Sequence, residues 1–90
     1  MASTHQYVGT THSVTMKHPK YTKRDEYVYA EFHQPGLAPE IKITAISATS
    51  NDKMYKCSPV IIEQEEYKTR PKGEQEEAKW ALGKLGWTKP

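Results

Sequence analysis

A single cysteine, Cys57, removes the intramolecular disulfide from the ways this chain can hold itself together. Such a sequence fits a reducing compartment best, and the cytoplasm is the expected location. No second cysteine stands near Cys57, and the four histidines form no close pair, so the ligand spacing of a zinc site is missing. No metal or cofactor is expected. Long apolar runs are missing too: Val60-Ile61-Ile62 and Ala45-Ile46 fall far short of a membrane span. The opening Met-Ala-Ser-Thr-His-Gln has none of the apolar core of a signal peptide. There is no phosphate-cradling glycine loop, no nucleophile elbow and no base arranged beside Cys57. The chain is therefore read as non-enzymatic.

What is present is one small domain. Ninety residues suffice for one and not two. At 36% hydrophobic and 27% charged residues the core must be thin, and a thin core invites burial against a partner or a second copy. The charge is uneven along the chain. Residues 1–24 carry +4, residues 25–62 carry −2, and the remainder is neutral. The basic N-terminal segment, with Lys17, Lys20, Lys23 and Arg24, could steer an anionic partner, but four charges do not establish nucleic-acid binding.

Residues 1–6 are small and polar and read as a flexible N-terminus, with the domain spanning 7–90. Tyr7 to Met16 reads as an irregular first strand with His12, Val14 and Met16 on one face, broken by His18-Pro19-Lys20. Residues 26–33 read as a second strand. Alternation sends Val28, Ala30 and Phe32 to the core and Tyr27, Tyr29, Glu31 and His33 the other way. Pro35-Gly36 suits the centre of a type II turn. Residues 40–48 form the third strand, with Ile41, Ile43 and Ala45 on one face and Ile46 on the other. Ser50 to Lys53 is a turn, and the chain is expected to resume as a fourth strand over 54–66, antiparallel to the third, with Pro59 marking an edge.

The spacing predicts a C-terminal helix over 74–85. Glu74, Glu76 and Glu77 sit in its first turn, Lys84 in its last, and Gly86 at the left-handed position beyond it. Its core stripe is Ala78, Ala81, Leu82 and Leu85, and Trp87 should fold back over Leu82. Trp80 points nearly opposite. It either covers a sheet edge or a loop, or anchors a partner. The predicted fold is thus α+β: an antiparallel sheet of about four strands with one C-terminal helix packed on it, in the order β-β-β-β-α.

The leading function read from these residues is a protein-binding module, an inhibitor or adaptor. In size and style it looks like small phage- or plasmid-encoded regulators, although no motif carries that resemblance. Its partner-binding candidates are Trp80, Trp87, Tyr27, Tyr29, His33, and the acidic run Glu63, Glu65 and Glu66, which also suits a soluble exposed edge. The second reading is binding of nucleic acid or an anionic nucleotide. It rests on Lys17, Lys20, Lys23, Arg24, Lys79 and Lys84 beside the strand tyrosines. Glu31 in the tyrosine row opposes a phosphate backbone, and neither an RNP-type run nor a zinc knuckle is present. A third reading is a structural homo-oligomer subunit, a homodimer in its simplest form.

Overall fold

The computed structural model describes residues 5–36, 39–48 and 58–90. These build an antiparallel sheet of five strands with two helices on one face: β1 (His5–Thr10), β2 (Val14–Lys17), β3 (Asp25–Pro35), β4 (Glu40–Ser47), β5 (Val60–Glu63), α1 (Gln64–Lys68) and α2 (Glu74–Lys84). The α+β class and the C-terminal helix on the sheet agree with the sequence.

β3 is the spine. On one side it pairs with β4, and β4 in turn pairs with β5. On its other side β1 pairs with the end of β3 and β2 with its start, so two short strands share one edge. The expected single strand over Tyr7–Met16 is therefore two. The register slips between Tyr7 and Gly9, and the chain leaves the ladder after Thr10. Thr11 keeps the break close to β3. Its N–H donates to the Ala30 carbonyl at 2.9 Å, and its hydroxyl accepts from the Ala30 N–H at 2.9 Å. Val14 and Met16 are buried as expected, while His12 lies exposed in the break.

The second departure is α1. Residues 54–66 were expected to run as a strand; among the described residues 58–66, Val60–Glu63 do so, while residues 54–57, with Cys57, and the expected turn over 50–53 lie outside the described residues. Gln64-Glu65-Glu66-Tyr67-Lys68 turns into a short helix with Glu65 and Glu66 in its first turn and Lys68 in its last. Straight-chain Gln, Glu and Lys lose little freedom in a helix, and the charges align with its dipole. Tyr67 then swings under the sheet and meets Phe32 edge to face, with centroids 5.0 Å apart.

Alternation explains the core. Val28, Ala30 and Phe32 of β3, Ile41, Ile43 and Ala45 of β4, Ile62 of β5, and Val14 and Met16 of β2 all point to the helix side. Ala78, Ala81 and Leu82 of α2 are fully buried against them, and Leu85 joins the same cluster. The two alanines let the helix approach the sheet closely. Burial of a leucine such as Leu82 contributes about 1.5–3 kcal/mol. α2 ends as its sequence predicts. Gly86 has φ +95°. The Trp87 N–H reaches back to the Leu82 carbonyl at 3.1 Å, and the Gly86 N–H reaches the Gly83 carbonyl at 3.0 Å. This paired Schellman bonding drops Trp87 into the core. Among the described residues, no helix is long and apolar enough to cross a membrane.

Candidate functional site: the open face of the sheet

Both helices pack on the face that carries Val28 and Phe32. Among the described residues, nothing packs on the other face. The same alternation that fills the core delivers cross-strand rows to this open side. Tyr7, His33, Lys42 and Ile61 form the first, and Thr10, Glu31 and Thr44 the second. Tyr29 faces Ile46, and Thr15 faces Tyr27. Tyr7, Tyr27 and Ile61 are 61%, 46% and 47% exposed, which is high for side chains of this size on a sheet. Tyr29, His33 and Ile46 are half-buried between them.

The sequence assigned Tyr27, Tyr29 and His33 to this face, and the fold brings them together. Tyr7 and Ile61 belong with them and were missed. Tyr7 stands edge to face with His33, ring centroids 5.9 Å apart, across a register that only the β1–β3 pairing sets. Ile61 lies in an apolar triplet that shows no alternation of its own. His33 also meets the Glu31 carboxylate at 3.2 Å. Tyr29 is held above the ordinary tyrosine pKa of 10.0, first by burial and then by the carboxylate of Glu31 and by Tyr7. The charge of the face leans acidic. Asp25, Glu31, Glu40 and Glu63 occupy outward positions against Lys17 and Lys42, and Lys17 is bound to Asp25 at 2.9 Å.

The other candidates go elsewhere. Trp87 is 3% exposed and belongs to the core, edge to face with His18 at 5.0 Å, and its indole N–H has no acceptor among the described residues. Trp80 is half-buried and packs against the core cluster, with the Lys84 ammonium 5.2 Å from its ring centroid. Lys84 also pairs with Glu66, tying α1 to α2, while Glu65 pairs with Lys68 at 3.5 Å. Glu65 and Glu66 thus sit on a helix rather than along a strand edge, and only Glu63 remains on β5.

The basic residues separate as well. Lys20, Lys23 and Arg24 line an open concavity of about 530 Å3 in the β2–β3 loop, together with half-exposed Tyr21. Arg24 is paired with Glu26 at 2.8 Å. That loop hangs on His18. The sequence offered His18 only as part of a strand break, but it is buried at 1% exposure. Its Nδ1 accepts the N–H of Lys20 at 2.9 Å and of Tyr21 at 3.2 Å, so this nitrogen carries no proton. The sequence was read as lacking a GxxG loop, although Gly83-Lys84-Leu85-Gly86 has that spacing. The chain uses it to end α2 and not as a loop between helices. Among the described residues, no group of three or more His, Cys, Asp or Glu is placed to hold a metal ion.

No protein-family model matches the chain, no curated protein matches it in sequence, and no solved structure matches it.

Proposed function

We propose that this protein is a non-enzymatic binding module that docks another protein on the open face of its sheet. The observation that carries the reading is that Tyr7, Tyr27 and Ile61 stand exposed on one sheet face, with half-buried Tyr29, His33 and Ile46 between them and no helix over that face among the described residues. Aromatic side chains on rigid strands supply large contact area at small entropy cost, and they dominate interface energetics. The acidic balance of the face selects the partner's chemistry: an apolar patch with a neutral or basic rim, met in the cytoplasm. A phosphate backbone would be repelled there.

The test is retention on the immobilised protein. Tyr7→Ser combined with Ile61→Ser changes two exposed side chains and leaves the core untouched. A cytoplasmic protein held by the wild type and lost from this variant, with unchanged melting temperature, supports the reading. Equal retention by both, or retention of nothing, overturns it. Trp80→Ala serves as a control for a surface that is part of the fold.

The β2–β3 loop favours a second reading, an anionic nucleotide or nucleic acid. Lys20 and Lys23 flank the half-exposed ring of Tyr21 there, and cations beside an aromatic suit a base and its phosphate. Binding of this kind weakens steeply with salt. No binding to single-stranded DNA, duplex DNA, RNA or a nucleotide panel at low salt would end it.

A further inference from the structure

β2 and β1 lie on the same side of β3, so the far edge of β2 faces no named strand. Among the described residues it is bridged at one point only. The Lys17 N–H donates to the Thr88 carbonyl at 2.9 Å, and the Thr88 N–H donates to the Lys17 carbonyl at 3.1 Å, an isolated antiparallel bridge. Both backbone groups of Lys17 therefore point away from β3. Alternation along an antiparallel strand turns both backbone groups of Thr15 the same way. Continuing the register of the bridge would set Pro90 opposite Thr15, and proline has no N–H to offer the Thr15 carbonyl. The chain's own tail thus opens a ladder that it cannot extend.

The space beside that edge is an open groove of about 580 Å3, walled by Thr15 and Tyr27 on the sheet, Gln75 and Lys79 on α2, and Lys89 and Pro90 of the tail. Its charge is positive. Lys79 and Lys89 have no ion-pair partner among the described residues. The Glu74 carboxylate at the start of α2 meets His12 Nδ1 at 3.0 Å and offsets only one of the two lysines. An extended backbone for the edge and carboxylates for the lysines define the occupant. We infer that this groove takes an acidic, extended segment of a partner protein by strand addition. A second copy offering its own β2 edge would bring Lys79 and Lys89 against their equivalents, and charge disfavours that pairing.

The probe is a short fluorescent peptide of alternating Glu and Val, titrated at low salt, with the full chain otherwise unchanged. Binding is expected to protect the Thr15 amide from hydrogen exchange. It should weaken roughly tenfold or more when Lys79→Glu and Lys89→Glu are combined. Thr15→Pro removes a donor that faces outward, a substitution an edge strand tolerates, and is expected to abolish binding. Should that variant fail to fold, two peptides N-methylated on alternate sets of residues decide instead, since one pattern must block binding and the other must not. Equal binding of a Lys–Val peptide, indifference to both methylation patterns, or no binding overturns the inference. So does self-association of the protein that Thr15→Pro dissolves. Thr15 and Tyr27 border both surfaces, but Lys79 and Lys89 border only the groove and Tyr7 and Ile61 only the open face, so the Lys79→Glu/Lys89→Glu and Tyr7→Ser/Ile61→Ser pairs separate this result from that for the open face.

Discussion

Two glycines three positions apart at the end of α2 should respond to alanine with opposite signs. Gly83 lies inside the helix on its exposed side, and a Cβ built there meets no atom within 4 Å. Alanine at this position removes unfolded-state freedom and improves helix propensity, a gain of about 0.5–1 kcal/mol. Gly86 has φ +95°, and its added Cβ would lie 3.3 Å from Pro19 Cβ and 3.5 Å from Pro19 Cγ. The left-handed conformation costs an L-residue about 1–2 kcal/mol. Pro19 must also give way, and it follows His18, the residue whose ring packs on Trp87. The combined cost is about 1–3 kcal/mol, with the upper part set by how far Pro19 can move. For a domain of this size each kcal/mol moves the melting temperature by about 4–8 °C. Thermal unfolding followed by tryptophan fluorescence should show Gly83→Ala melting above wild type and Gly86→Ala below it. Equal shifts of one sign, or a Gly86→Ala protein as stable as wild type, would refute the assigned helix end and the seating of Trp87 that depends on it.

His18 should behave as the hub of the β2–β3 loop. His18→Phe keeps the ring contacts with Trp87 and Tyr21 but loses the acceptor of two N–H groups, and should cost about 1–2 kcal/mol in urea unfolding. His18→Ala loses the ring as well and should cost about 2–4 kcal/mol; equal stability of both variants and wild type would refute this role. Arg70→Ala should cost about 1–3 kcal/mol, because its guanidinium lies 4.1 Å over the Tyr67 ring and 2.7 Å from Glu77 and so joins α1 to α2. A change within error in the same unfolding assay would show that the two helices do not depend on this link. Tyr29 has a folded-state pKa above its unfolded value of 10.0, so the folded chain holds that proton more tightly. The associated stability is fully present below pH 10.0 and is lost as pH rises through the folded value. The wild-type minus Tyr29→Phe difference in ionised-tyrosine absorbance should show a midpoint above 10.0, and a midpoint at or below that value would contradict the environment described.

The parts of this fold that were legible in the sequence are those set by local periodicity. β3 and β4 alternate cleanly, and their inward residues could be named before any pairing was known. α2 announced itself by its stripe, its acidic first turn and Gly86. What stayed hidden is set by contacts distant in sequence. Thr11 breaks the first strand in two because the N–H of Ala30, nineteen residues on, donates to its hydroxyl oxygen. α1 forms where Tyr67 can reach Phe32, and a five-residue helix leaves too short a pattern to separate from a strand. His18 looked like a loop histidine because its acceptor role requires the backbone to fold around it and Trp87 to arrive from the C-terminus.

The same division runs through the two binding surfaces, and it explains why one was partly foreseen and the other was not. On β3, alternation fixes the roles of both faces at once: any register that buries Val28, Ala30 and Phe32 must expose Tyr27, Tyr29 and His33. Selection for a stable core on that strand leaves only the outward positions free to serve a partner, so the tyrosine row could be read from spacing. The β2 groove has no such local sign. It exists because β2 is too short to continue β1, because the tail bonds to Lys17 and then reaches Pro90, and because α2 places Lys79 beside the gap. Three segments far apart in the chain must converge before an unpaired edge acquires walls and a charge. Lys79 was singled out in the sequence only as one of six anion-binding candidates. In the fold Lys79 and Trp80 part, Trp80 toward the core and Lys79 toward the groove, because adjacent positions on a helix point about 100° apart.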